Sequence, residues 1–303
     1  MDISLLLVTY NRLSLLEKAI SAIKNNATDI KELIIVDNFS TDDTFLYLES
    51  MFQLKSCSST YKTEVADSEI YEGRFFELNI NVKLIRLLEN TGGSGGFYEG
   101  VRFFYEQSNC NWVWGMDDDA FLEVNALKEL EKAVDAFPNN NAFWSNCNND
   151  NRIEKYVEVK YWMFVGFCLN KKLINKIGFP VKDYFIYHDD SEYANRIIFN
   201  NEKIIKVIDS KIDHGDFSGR NIWKRKLLWI DVVHPAMSEW KLYYFIRNDI
   251  LKNSRTLKGK IKSMVKIFLT ILKVSYINPK FLPISIIAYY HGVIGRKGKV
   301  VNP

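Results

Sequence analysis

Only four cysteines occur in the 303 residues, at positions 57, 110, 147 and 168, and no two form a CxxC pair. That spacing excludes a zinc ribbon and a small disulfide framework, and it points to a reducing compartment. No apolar run approaches the roughly 18 residues of a spanning helix. "MDISLLLVTYNR" has no basic segment ahead of its short apolar run, so it predicts a strand rather than a signal peptide. Internal repeats and low-complexity tracts are also missing. From Ile250 to Pro303 there is no Asp or Glu, yet 11 Lys and Arg. The rest of the chain holds 29 bases against 37 acids, so the net charge of +3 hides an acidic body and a basic tail. Such a tail suits an anionic surface.

What is present is apolar enough to fold: 47% hydrophobic and 25% charged. "ISLLLVTY", "KELIIVDN", "NVKLIRLLEN" and "NWVWGMDDD" read as buried strands. Between them "RLSLLEKAISAIKNN", "STDDTFLYLESMF" and "GGFYEGVRFFYEQS" read as helices. Apolar strands alternating with helices predict an α/β domain with a mostly parallel sheet covered on both faces. Residues 54–80 look like an insertion. After Ala120 comes an amphipathic helix, "LEVNALKELEKAVDAF". "NAFWSNCN" and "KYVEVKYWMFVGFCLN" then read as partly antiparallel strands, and "YFIYHDDSEYANRIIFNN" as a strand running into a helix. From about Ser238 the pattern is helical only. This predicts an α/β domain over 1–235 and a basic helical extension over 236–303.

Ligands of open parallel sheets bind beyond the carboxyl ends of the strands. Four polar clusters fall there: Thr9–Arg12, Val36–Asn38, Glu89–Gly96 and Asp117–Asp119. Gly92, Gly93, Gly95 and Gly96 precede a helix, where backbone amides can approach a phosphate or sugar. Alternate side chains of an extended segment share a face, so Asp117 and Asp119 can converge while Asp118 points elsewhere. Two such carboxylates make a partial oxygen shell for Mg²⁺ or Mn²⁺. "FIYHDD" repeats the form of an apolar strand ending in paired acids. One of these acids could be a general base, and helix capping is the plainer use of them. His214 follows another strand, where a lone histidine is more often structural.

Taken in order, "VTYNR", "IIVDN", "NTGGSGGFYEG", "WGMDDDA", "HDDSEY" and a final His resemble a family 2 glycosyltransferase of the GT-A fold, over about Ile3 to His214. "NTGGSGGF", "WGMDDD", "HDD" and "EWKLYYFIRN" are similar to the galactofuranosyltransferase branch and its rhamnosyltransferase relatives. The resemblance implies a Rossmann-like nucleotide-sugar-binding domain. Thr9, Asn11, Arg12 and Asp37 would hold uracil and ribose. Asn90 and the Gly92–Gly96 loop would line the diphosphate and donor sugar. Asp117, Asp119 and His214 would bind Mn²⁺ or Mg²⁺. Asp190 would be the base, with Asp189 or Glu192 orienting the acceptor. Trp162 and His188 would touch acceptor sugar; Trp114 is a further candidate for sugar contact, with core packing as its plainer role. His188 stands where the polymerising galactofuranosyl enzymes have an aromatic, and the QxxRW motif of processive synthases is absent.

The implied reaction is inverting transfer of galactofuranose from its UDP donor to a lipid-linked or oligosaccharide acceptor in cell-surface polysaccharide synthesis, O-antigen or capsule. The implied place is cytoplasmic, peripheral at the inner face of the cytoplasmic membrane through the basic tail. Rhamnose transfer from dTDP-rhamnose is the alternative donor. A non-catalytic nucleotide-sugar- or carbohydrate-binding module and a two-acid glycoside hydrolase are the rival classes. No recognisable nucleic-acid-binding module is present, so no nucleic-acid partner is expected.

Overall fold

A computed structural model describes residues 1–57, 61–215 and 221–303. It divides into two compact units. One is Met1–Lys182 with Tyr193–Gly215. The other is Asp183–Glu192 with the described residues of 216–303. The second unit thus takes in more chain than the helical extension expected over 236–303.

The first unit is built on one sheet. Its strands in chain order are β1 (Ile3–Thr9), β2 (Glu32–Asp37), β3 (Lys55–Ser56), β4 (Ser68–Phe75), β5 (Ile80–Leu87), β6 (Trp112–Asp117), β7 (Phe121–Leu122), β8 (Ala142–Asn146), β9 (Tyr156–Val159), β10 (Phe167–Asn170) and β11 (Ile204–Asp213). They lie in the order β3-β4-β5-β2-β1-β6-β10-β8-β11-β7, with β9 pairing β11. The central four, β5-β2-β1-β6, are all parallel. Every residue of β1 is buried, the unbroken apolar pattern of a strand covered on both faces. β10 runs antiparallel between β6 and β8, as the mixed second half predicted. The 54–80 segment is no separate insertion: β3 and β4 extend the sheet antiparallel beyond β5. Residues 58–60 of that stretch lie outside the described residues.

Helices α1 (Leu13–Asn26), α2 (Thr44–Phe52), α3 (Gly92–Gln107), α4 (Ala126–Ala136) and α5 (Lys171–Ile177) complete this unit, together with the later part of α6 (Asp189–Phe199). α1 turns Leu16, Ala19, Ile20 and Ile23 inward, at the helical spacing read from sequence. α3 packs on β1 closely because two of its residues lack a Cβ. A Cβ on Gly96 would come 2.7 Å from Val8 Cγ1, and one on Gly100 would strike Leu6.

The second unit holds the hairpin β12 (Ile222–Leu227) and β13 (Ile230–Pro235) and the helices α7 (Glu239–Lys252), α8 (Leu257–Ile277) and α9 (Leu282–Ile294). Its core gathers Phe185, Leu242, Tyr243, Tyr244, Ile246, Ile250, Ile267 and Ala288. Among the described residues no helix is long and apolar enough to cross a membrane.

The expected strand before Asp189 does not exist. Phe185, Tyr187 and His188 have φ of 68°, 64° and 67°, a region that aromatic residues seldom occupy. What holds this strained backbone is α7. Arg247, fully buried, donates to the carbonyls of Tyr184 (3.0 Å) and Gly298 (2.7 Å). The Asn248 amide donates to those of Tyr184 (2.9 Å), Ile186 (2.7 Å) and Tyr187 (3.0 Å). The apolar residues of "YFIY" serve this small helical core, which is why they imitate a strand.

Candidate active site

Strand register sets the rim. Thr9 pairs with Asp37 and Val8 with Asp117, so the ends of β2, β1 and β6 finish together. The short β7, directly after Asp119 and Ala120, pairs antiparallel with the end of β11, Phe121 opposite Asp213. That pairing carries His214 to the triple aspartate.

Asp117, Asp119 and His214 each offer one ligand atom, and the three atoms lie within 4.8 Å of one another. His214 Nε2 is 3.2 Å from Asp119 Oδ1. That oxygen is buried and accepts no hydrogen bond of good geometry among the described residues. A carboxylate oxygen facing a ring nitrogen beside a second carboxylate fits a divalent cation. The mixed donor set suits Mn²⁺ better than the all-oxygen preference of Mg²⁺.

Asp118 takes the opposite course. It is 2% exposed and pins the end of β1. Thr9 Oγ1 (2.8 Å) and the Tyr10 amide (3.3 Å) both donate to its Oδ2. Arg12 Nη1 bridges it at 3.2 Å to Asp119 Oδ2 at 2.8 Å. Burial raises the Asp118 carboxyl above its ordinary range against the pull of Arg12 and Thr9. Burial pushes Asp119 the same way, but His214 and Arg12 overcome it and the net shift is downward. Part of the cation that a triple aspartate requires is therefore Arg12 itself. The structure places Thr9 and Arg12, expected at uracil and ribose, on the acidic turn.

The other expected donor-binding residues also sit at this rim, each engaged with backbone. Asp37 is fully buried; its Oδ1 accepts the Ser40 amide at 2.9 Å, and Arg86 Nε lies 3.8 Å from Oδ2. Burial raises its carboxyl, opposed by Ser40 and Arg86. Asn11 Oδ1 accepts the Thr41 amide at 2.7 Å, and Asn90 Oδ1 the Gly92 amide at 2.8 Å. Gly92 to Gly96 form the first turns of α3 and not a free loop. Gly95 and Gly96 face Thr91 and Val8, whereas a Cβ on Gly93 would meet open space. Asn38, unassigned by sequence, clamps this entry. Its Oδ1 accepts the Thr91 amide (3.0 Å) and hydroxyl (2.8 Å), and its Nδ2 donates to Gly92 O (2.9 Å). Its signal was its place after a strand, and that is shared with every turn residue there.

Trp162 is 1% exposed, packed with Phe167 and Tyr193 at ring separations of 5.8 and 6.2 Å. Burial leaves no ring face for the sugar expected there. Trp114 is core as expected, its Nε1 donating to Ser145 Oγ at 3.2 Å.

Asp189, Asp190 and Glu192 belong to the second unit and form the first turn of α6. Burial, and then the neighbouring Asp190 charge, holds the Asp189 carboxyl well above the carboxylate range. Burial also raises Asp190, opposed by hydrogen bonds from Ser191 and by the charge of Lys252. Glu192 pairs with Arg255 at 3.2 Å. His188 is pushed down to about 3 by burial and by Lys252, so it is neutral and its Nδ1 accepts from Lys252 Nζ at 2.8 Å. Arg247 and Asn248, which hold the strained segment before α6, are residues that sequence reasoning left without a task.

Solved structures with this fold include a Pyrobaculum calidifontis mannosyltransferase in complex with GDP-Man and Mn²⁺. It is 14% identical, with a TM-score of 0.57 over 99% of this chain and 76% of that one. S. aureus TarS 1-349 in complex with UDP-GlcNAc is 15% identical, with a TM-score of 0.56 over 97% and 82%. GalNAc-T7 with UDP, GalNAc and Mn²⁺ is 10% identical, with a TM-score of 0.54 over 84% and 48%. These likenesses establish the GT-A glycosyltransferase fold. No curated protein matches the sequence. The model of glycosyl transferase family 2 matches residues 4–194, well over half of the chain, and the protein belongs to that family.

Proposed function

We propose that the chain transfers a sugar from a nucleotide diphosphate donor to an acceptor hydroxyl, with inversion and with a divalent ion at Asp117, Asp119 and His214. The observation that carries this reading is the convergence of those three side chains at the sheet rim. The mannosyltransferase and TarS hold nucleotide sugars in their complexes, which supports a donor of that class here. A bound Mn²⁺ or Mg²⁺ supplies positive charge for the departing diphosphate.

Asp190 takes the proton of the acceptor hydroxyl. Its carboxyl, raised by burial, is a stronger base than a solvated aspartate. The acceptor oxygen bonds to the anomeric carbon as the bond to the diphosphate oxygen breaks, so one displacement inverts that centre. Asp189 and Glu192 orient the acceptor beside it, with His188. Asn90 and the first turn of α3, where Gly93 has open space, line the diphosphate and sugar. Asp37 and Asn11 serve the base and ribose.

The donor we favour is UDP-galactofuranose, on the likeness of "NTGGSGGF", "WGMDDD" and "HDD" to that branch, with a lipid-linked glycan as acceptor in surface polysaccharide assembly. A donor panel with Mn²⁺ tests it, read as nucleotide release with a lipid-linked sugar acceptor. Release from UDP-galactofuranose, abolished by EDTA and restored by Mn²⁺, is the expected result. Release from dTDP-rhamnose alone would move the chain to the rhamnosyl branch. Nucleotide-sugar binding with no turnover for any donor would mark a binding module.

A further inference from the structure

We propose that the C-terminal unit docks on an anionic lipid bilayer, with the tip of the β12–β13 hairpin as an inserted wedge and α8 lying along the surface. The tip is Leu227, Leu228, Trp229 and Ile230, exposed at 49, 77, 84 and 59%. Leu227 pairs with Ile230, so Leu228 and Trp229 alone make the turn. Two-residue hairpin turns favour Asn-Gly and similar pairs, because their backbone needs positive φ. Leu228 adopts a φ of 56° regardless. The tip thus ignores turn chemistry and presents two large apolar side chains to solvent. Water gives no reason for that, whereas an interface that takes leucine and tryptophan does.

Behind the tip stand Arg225 and Lys226, and Lys224, which is paired with Asp231 at 2.8 Å. The hairpin is braced on the end of α8. Arg225 Nη1 donates to Tyr276 O at 2.6 Å, the Tyr276 hydroxyl donates to Lys226 O at 2.7 Å, and Trp223 packs on Phe281 at 4.5 Å. α8 is apolar on two sides, and the unit covers only one. Ile267, Ile271 and Val274 are buried, while Ile261, Val265, Phe268 and Leu272, spaced four, three and four residues apart, are each more than half exposed. Lys262 and Lys273 each follow one of these and lie about 100° round the helix, while Lys266 on the same side is paired with the buried Asp249 at 3.1 Å.

Charge selects the occupant. The 54 residues from Ile250 carry 11 bases and no acid. Two copies meeting through this face would set bases against bases, whereas anionic headgroups complement them. Nothing here rests on the donor assigned above, because vesicle binding reads no turnover.

The test is co-sedimentation of the full chain with phosphatidylcholine vesicles, with and without phosphatidylglycerol. Brominated lipid in the same vesicles serves as a quencher of tryptophan fluorescence. Binding to the anionic vesicles only, weakened by salt, is expected, with quenching that disappears in Trp229→Phe. Leu228→Asp with Trp229→Asp should lower binding by about tenfold or more, and so should Phe268→Asp with Leu272→Asp. All four side chains are at least half exposed, and unchanged melting confirms that the variants fold. Absence of binding to anionic vesicles at low salt overturns the proposal. So does binding with no Trp229 quenching, or a stable dimer that these same substitutions dissociate.

Discussion

Asp117–Asp119 and Asp189–Glu192 each crowd carboxylates into three or four residues, and the chain copes with them by opposite means. The first cluster ends a parallel strand and meets cations. Arg12 bridges Asp118 and Asp119, His214 faces Asp119, and the net shift of Asp119 is downward. The second opens a helix after strained backbone and is enclosed, so Asp189 and Asp190 are both raised. Helix N-termini favour negative charge, yet burial outweighs that contribution here. A carboxylate kept ionised suits a metal, and one kept easy to protonate suits a base. The difference in surroundings supports the two roles proposed for them.

The largest expected effect breaks the comparison at the first cluster. Asp119→Ala should remove detectable transfer. It should also weaken Mn²⁺ binding by at least about 100-fold, since even partners one shell further out cost 10–100-fold when lost. Titration of Mn²⁺ by calorimetry reads the second effect without turnover. Wild-type affinity would leave the first cluster an ordinary ion-paired turn.

At the second cluster Asp190→Asn keeps shape and hydrogen bonding but not basicity. Transfer should fall by about 10²–10⁴-fold, with nucleotide-sugar affinity nearly unchanged. Retained turnover would return all four residues to helix capping.

A third variant separates Asp118 from its neighbours. Asp118→Ala leaves Thr9 Oγ1, the Tyr10 amide and half of the Arg12 bridge without their acceptor. Stability should drop by roughly 2 kcal/mol, the worth of charged hydrogen bonds at a buried site, read as a lower denaturation midpoint. Asp119→Ala, losing a more exposed carboxylate, should cost the fold less. Equal losses would erase the distinction between the anchoring and the ligating acid.

How far sequence could see follows the same division. β1, β2, β5 and β6 were legible because a strand covered on both faces must be apolar throughout, and its polar end marks the rim. The partnership of Asp117 and Asp119 was legible from strand alternation. The partner of Asp118 was not, because Arg12 is 106 positions away and only register brings it there. "FIYHDD" misled, since apolar side chains feeding a small helical core read like a strand; Arg247 and Asn248, which hold the Tyr184 carbonyl, lie 63 and 64 positions downstream of it. Trp162, expected at the acceptor sugar, is buried instead; a tryptophan in a core and one under a sugar have the same letter. The hairpin tip was unread for the opposite reason: Leu-Trp is not a turn signal.

The smallest expected effect is a pH dependence set by Asp189. Its folded carboxyl lies above the unfolded value of about 4, so between those two values the folded state binds more protons than the unfolded. Stability should therefore fall as pH rises through that window and level off beyond the folded value. Below it both states are protonated and the group contributes nothing. Asp190, raised as well, acts in the same direction, while Glu192 is paired with Arg255 and Lys252 counters Asp190. The readout is thus the difference between wild type and Asp189→Asn, taken as melting temperature from pH 4 upward. The variant should show the flatter profile and, near neutral pH, gain at least about 1 kcal/mol, the worth of one pKa unit. Asp119, with its carboxyl lowered, has the opposite sign: its contribution is present above the unfolded value and is lost as pH falls through the folded one. If Asp189→Asn instead lowered stability at neutral pH, the second cluster would be held by ion pairing like the first, and the contrast between an enclosed base and a cation-bound ligand would fail.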